Sequence, residues 1–178
     1  MTLETARLSL LPCTPEQLLA LIEQPERVEQ LVGLPVAAEL HGFYASDDVS
    51  PQWVATLRKD AKAGADPWRH GFFVVHRERR SVIGAAGFKG APDADGCVEI
   101  AYGIVPSHEG QGYATEAAAA LVRYAFEHGA RQVRAHTLPQ PNASTHVLLK
   151  NGFRNVGSVV DPEDGPVWRW ERGPARSD

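Results

Sequence analysis

Between Val98 and Glu116 the chain reads V-E-I-A-Y-G-I-V-P-S-H-E-G-Q-G-Y-A-T-E, an apolar strand pattern that passes through a glycine-rich turn into a helix. Gly110 and Gly112 carry no Cβ, so the backbone there can turn tightly and aim its N–H groups at an anion. The helix that follows adds unpaired N-terminal amides and the positive end of its dipole, a combination suited to a pyrophosphate. Upstream, strand alternation puts Val98, Ile100, Tyr102 and Ile104 on one face and Glu99, Ala101 and Gly103 on the other. The second face is small, so a ligand or another chain can approach its backbone, with the Glu99 carboxylate overlooking it. The ligand expected is a phosphorylated cofactor.

Spacing narrows the choice. A Walker loop requires G-x-x-x-x-G-K-[ST], and no lysine in this sequence is followed by a hydroxyl residue. A dinucleotide fingerprint requires G-x-G-x-x-G, of which Gly110, Gly112 and Thr115 supply only the first two glycines, with no second strand-helix-strand unit after them.

The elements that must hold this loop can be read outward from it. A helix is expected from about Gly112 to His128, with Ala114, Ala118, Leu121, Val122 and Ala125 at helical spacing, ending at Gly129. Before it, Phe72 to His76 and Ser81 to Phe88 read as a hairpin and Cys97 to Val105 as the next strand. After it come a strand from Val133 to Thr137, a helix from about Ala143 to Asn151, and a last hairpin through Val156–Val160 and Val167–Trp170. The front third is helical and punctuated by proline. A strand over Arg7–Leu11 precedes a helix opened by Thr14-Pro15-Glu16-Gln17, a second helix spans about Glu26 to Val32, and a third runs from Ser50-Pro51 to about Ala63. The fold class predicted is α/β (α+β) with a mostly antiparallel central sheet flanked by helices, as one domain over residues 1–172 and a flexible tail at 173–178.

Composition agrees with a single enzyme-sized domain. The 178 residues are 43% hydrophobic and 22% charged, enough for one sizeable core. A net charge of −4 argues against nucleic-acid binding, and Arg77, Arg79 and Arg80, with Glu78 among them, read as a solvated hairpin tip. Cys13 and Cys97 form neither a zinc knot nor a disulfide framework, and no metal site is indicated. No apolar run approaches the roughly 18 residues of a membrane span, and Met1 to Arg7 has no signal-peptide core, so a cytoplasmic protein is expected.

The loop block, read as E-x-x-G-x-A over Glu109 to Ala114, resembles motif A of the GNAT acyl-CoA-dependent N-acetyltransferases, whose signature is [QR]-x-x-G-x-[GA]. The likeness extends to the Rim-like branch of ribosomal-protein-alanine acetyltransferases. Glu99-Ile100-Ala101-Tyr102-Gly103-Ile104-Val105-Pro106 precedes the loop, Gly112 to Ala117 reads G-Y-A-T-E-A, and Leu138 to Phe153 resembles the branch's second block. Two blocks at compatible spacing imply a GNAT fold splayed at the cofactor-binding strands and an acetyl-CoA-dependent N-acetyltransferase working by direct transfer in a ternary complex. The alternative is a noncatalytic acyl-CoA-binding module. The acceptor implied is a primary amine, either a protein N-terminus or a small molecule, bound by the front third; a homodimer is a further possibility, with the terminal strands carrying Trp168 and Trp170 as an edge, although indoles in a strand are more often core.

The resemblance also assigns residues. Acetyl-CoA is expected on Ile104, Val105, Gly110, Gln111, Gly112, Tyr113, Ala114, Thr115 and Asn142, with the oxyanion met by N–H groups near Gly103 to Val105, where GNAT strands part. Glu99 is the candidate general base, its bland role being an ion pair within the sheet. Ser144 is the candidate acid near the thioester sulfur, its bland role being a helix N-cap. Tyr102 has the phenol an acid needs, but its parity places it with the core. His70 and His136 have no spacing that assigns them. Two positions depart from the pattern. Glu109 stands where Gln or Arg is expected and would repel a pyrophosphate by about 1 kcal/mol if it faced it, so it is expected to turn outward. Pro141 stands where the branch has asparagine, so that Asn142 is a cap or turn residue as readily as a pantetheine ligand.

Overall fold

The computed structural model describes residues 1–45 and 49–174. Residues 175–178 of the expected tail lie outside the described residues. The chain opens with β1 (Leu3–Glu4) and β2 (Leu8–Pro12), then α1 (Pro15–Glu23). The α1 start is a full capping box: Thr14 Oγ1 accepts from the Gln17 N–H while Gln17 Oε1 accepts from the Thr14 N–H. A 3-10 turn at Pro25–Arg27 leads into α2 (Val28–Val32), and a second one spans Ala38–Phe43. α3 (Pro51–Lys59) ends short of the expected Ala63. Turns take over at Asp60, whose carboxylate is held 2.8 Å from Arg69 of α4 (Pro67–His70), and the residues before Pro67 disfavour helix.

From there the expected strands and helices appear nearly residue for residue. They are β3 (Phe72–His76), β4 (Ser81–Phe88), β5 (Cys97–Ile104), α5 (Tyr113–Glu127), β6 (Gln132–Thr137), α6 (Ala143–Lys150), β7 (Arg154–Asp161) and β8 (Gly165–Arg172). All eight strands form one sheet in the order β1-β2-β3-β4-β5-β6-β8-β7. Every pairing is antiparallel except β5 with β6, which are joined by the α5 crossover.

α5 lies against β5, and its Tyr124 joins Phe72, Phe88 and Trp68 in a core of tilted and edge-on rings. Trp170 is buried and Trp168 packs on the core, because β8 lies inside the sheet. The edge at this end of the sheet is β7, where Val156 and Val160 are exposed, and the indoles take the core placement that is commoner for them in a strand. The arginines at 77, 79 and 80 lie exposed in the β3–β4 turn, as expected.

Candidate active site

The parallel pairing of β5 with β6 covers three residue pairs, Cys97–Gln132, Val98–Val133 and Glu99–Arg134, and then stops. β5 continues to Ile104 paired only with β4. The hydrogen bonds from Lys89 N to the Glu99 carbonyl and from Val105 N to the Ile83 carbonyl, each 2.9 Å, show that odd-numbered residues of β5 turn their backbone groups toward β4. Alternation therefore directs the Tyr102 and Ile104 N–H groups into the widening gap beside β6. The expectation for Val105 is corrected: its N–H is engaged by Ile83, its carbonyl accepts from His108 N at 2.9 Å, and its side chain is buried. Gly103 likewise faces Ala85, so the available amide in that stretch is that of Ile104.

The gap leads to the glycine loop. Gly110 and Gly112 hold φ of 74° and 84°, left-handed values that a side chain would strain by about 1 kcal/mol or more. Gly112 caps α5 without any side-chain bond, so the first amides of the helix, from Tyr113, Ala114 and Thr115, are not closed off by a cap. Gln111 and Glu109 are both exposed, as are Gly110 and Gly112 beside them. Beneath the loop, His76 Nδ1 accepts from Arg79 N, so Nε2 donates to the Tyr113 hydroxyl at 2.9 Å, which in turn lies 3.5 Å from Gln111 Oε1. Arg7 clamps the loop from β2's side. Its guanidinium lies 4.4 Å from the centre of the Tyr113 ring, donates to the Gln111 carbonyl at 2.8 Å and pairs with Glu116 at 3.5 Å.

On the α6 side of the gap stands Ser144. The expected N-cap role is corrected: the cap of α6 is Asn142, whose Oδ1 accepts from Thr145 N at 2.9 Å while Thr145 Oγ1 accepts from Asn142 N. Ser144 is thus left free of the cap, and its Oγ lies 3.1 Å from the Tyr102 hydroxyl. Burial pushes the Tyr102 phenol up from its ordinary range, against a smaller downward pull from the Ser144 bond, so the ring stays a proton donor. Tyr102 faces α6 and is half-buried rather than sealed in the core.

The opposite face of β5 is the small one. A Cβ on Gly103 would come within 3.1 Å of the Phe43 ring, so the front third packs directly over it. Glu99 shares that face. Its Oε2 lies 2.6 Å from Lys89 Nζ and its Oε1 contacts His136 Nδ1. Burial pulls the Lys89 ammonium down, but the Glu99 bond and the charges of Glu99, Asp161 and Asp164 outweigh it, so Lys89 is held charged. The ion-paired role foreseen for Glu99 is therefore present. Sequence reasoning left out Lys89, Arg7 and Phe43, and left His136 unassigned. Strand parity alone would have put His136 on Glu99's face once the Glu99–Arg134 pairing was known, but the register of a parallel pair has no local signal in the sequence.

Among the described residues no helix is long and apolar enough to cross a membrane and no cluster of three or more metal-ligating side chains occurs. A family model described as an acetyltransferase (GNAT) domain matches residues 7–154. Two Bacillus subtilis proteins are similar over shorter stretches: Uncharacterized N-acetyltransferase YjdG, 32% identical over 39% of each chain, and Uncharacterized N-acetyltransferase YoaA, 32% identical over 47% of this chain and 48% of its own. The matched stretches thus span about half or less of these relatives' length. Among solved structures, the ribosomal alpha-N-protein acetyltransferase RimL in complex with coenzyme A superposes with a TM-score of 0.67 over 97% of this chain and 98% of its own at 16% identity. A GNAT-family acetyltransferase from Bacillus anthracis gives 0.65 over 97% and 98% at 18%. Those identities carry the fold and nothing finer.

Proposed function

The chain belongs to the GNAT acetyltransferase domain family, and on that premise we propose that it is an acetyl-CoA-dependent N-acetyltransferase that acts on a primary amine by direct transfer. The observation that carries the reading is that β5–β6 pairing stops at Glu99–Arg134 while β5 runs on to Ile104 ahead of the uncapped start of α5, with polar pairs, Tyr102–Ser144 and Glu99–Lys89, on opposite faces of β5. The residues present fit an acyl-pantetheine diphosphate. The loop amides from Gly110 to Thr115 suit the diphosphate, and the Tyr102 and Ile104 amides turned into the gap suit the pantetheine and the thioester oxygen. Asn142 offers only its amide nitrogen, its oxygen being engaged in the α6 cap.

Acetyl-CoA supplies an acyl group on a thiol leaving group, whose pKa near 8.5 makes departure easier than from an amine. The Ile104 N–H is placed to steady negative charge developing on the acyl oxygen. Ser144, held by Tyr102, is the proton donor for the departing sulfur. The acceptor amine enters over the small face under Phe43, on the side of β5 that carries the Glu99–Lys89–His136 cluster. That amine is a protein N-terminus, as the RimL likeness suggests, or a small primary amine. The protein works in the cytoplasm, where acetyl-CoA is available.

The test is thiol release from acetyl-CoA across a panel of amines and short peptides. Saturable release with one acceptor is the expected result. Measurable acetyl-CoA binding with no release across the panel would favour the second reading, a noncatalytic acyl-CoA-binding module, to which Glu109 in place of a cradle cation points.

A further inference from the structure

The geometry points to His136, rather than Glu99, as the group that takes the proton from the acceptor amine, with Glu99 as the positioning residue that fixes its tautomer. This rests on the acetyltransferase reading above. His136 lies between two partners that specify the same form of the ring. Nδ1 meets the Glu99 carboxylate, which can only accept, so Nδ1 carries the hydrogen. Nε2 receives the Arg169 Nε–H at 3.2 Å, so Nε2 carries the lone pair. Glu99 itself presents no unengaged oxygen, one being taken by Lys89 and the other by His136.

The ring is also in the right place. Pairing between β5 and β6 ends at Glu99–Arg134, and His136 follows two residues later on β6, on the same face, flanking the opened gap. Its side chain is 19% exposed, sheltered yet reachable. The charged groups around it come from every neighbouring strand: Glu99 on β5, Lys89 just after β4, Arg134 beside it on β6, Arg169 and Glu171 on β8, and Asp161 on β7, which feels His136 electrostatically. Glu171 is engaged by Arg134 at 3.3 Å, leaving Glu99 as the carboxylate in contact with the ring.

An incoming ammonium is an N–H donor of the same kind as the Arg169 Nε–H and takes its place at Nε2. The Nε2 lone pair then accepts one proton from the ammonium, and the pair left on nitrogen forms the new C–N bond. The C–S bond breaks with its electrons leaving on sulfur, which is protonated from the Ser144 hydroxyl; the second proton that nitrogen sheds as the amide forms passes through water to restore that hydroxyl, and the imidazolium returns the first proton to water. The unprotonated ring is the form that can accept this proton.

Two measurements test this on the intact chain. In the absence of any ligand, nitrogen NMR of wild type should show the His136 ring as the Nδ1–H tautomer, and Glu99→Gln combined with Arg169→Met should mix the two tautomers, since neither partner then dictates which nitrogen holds the hydrogen. In kinetics, His136→Gln should lower kcat/KM by about 10² or more, while acetyl-CoA affinity by calorimetry stays within about threefold. Retention of the rate in His136→Gln, or an Nε2–H tautomer in wild type, would overturn the inference while leaving the enzyme assignment standing. No transfer by wild type to any amine would sink both.

Discussion

The Tyr102 hydroxyl sits 3.1 Å from Ser144 Oγ, joining the strand before the glycine loop to the first turn of α6 across the mouth of the gap. Ser144 is free to serve there because Asn142, two residues earlier, has taken over the cap. Tyr102→Phe should leave acetyl-CoA affinity nearly unchanged and lower kcat by about tenfold, with Ser144→Ala lowering it by a similar or larger factor. Because burial holds the Tyr102 phenol above its ordinary range, wild-type activity should show no alkaline fall attributable to it up to the ordinary tyrosine range near pH 10. A pH profile of kcat for the two variants and wild type checks both statements.

Arg7 holds the loop that must receive a diphosphate, and it also neutralises Glu116 in the first turn of α5. Arg7→Ala frees that carboxylate beside the helix start and loosens Gln111. Acetyl-CoA affinity should fall by about tenfold with a smaller change in kcat, and the loss should shrink at high salt, where the exposed charge is screened. Calorimetric titration at two ionic strengths reads this out.

Gly103 lies under Phe43, where an added Cβ would press on the ring at 3.1 Å. Gly103→Val should displace the Phe43 ring and raise the KM for the acceptor several-fold, whereas Phe43→Ala should broaden the range of amines accepted. Acetyl-CoA affinity, set on the other side of the strand, should change little in Phe43→Ala.

His70 is buried, and its burial pulls the imidazole pKa down, with Asp66 and Asp60 pulling it up and Arg69 pulling it further down. The unfolded chain therefore takes up the proton at higher pH than the folded one, so stability is complete above about pH 6.5 and declines as pH falls below it. His70 Nδ1 accepts from Asp66 N at 3.2 Å, a bond that protonation breaks. The thermal midpoint should fall on acidification in wild type and fall less in His70→Gln.

The second half of the fold was legible because its signals are local. The strands at Phe72 and Ser81, the glycine-opened α5 and the final hairpin each carry their own periodicity and punctuation, and the Thr14 box announced α1. The front third was less so: the 3-10 turn at Ala38–Phe43 and the short α4 follow from packing over Gly103 and from the Asp60–Arg69 pair, which no window of sequence reveals. In the site, the glycine loop and Ser144 were visible as motifs, but the identity of the α6 cap and the partners of Glu99 depend on which strands lie side by side. Parity placed Glu99 on the correct face and stopped there, since His136 and Lys89 reach it from a parallel strand and a distant loop.

A ladder of three residue pairs, extended by the Gly96 carbonyl accepting from Arg131 N and Gln132 N, joins the five strands from β1 to β5 to the three strands from β6 to β8. The molecule is in this sense a hinge-bound book whose spine is one short parallel ladder backed by α5 and α6. A ligand lodged between the covers supplies the rungs that the ladder lacks, so occupancy and mechanical cohesion become one property. Amide exchange on β6 should slow on donor binding more than exchange on β3, which is already paired along both edges.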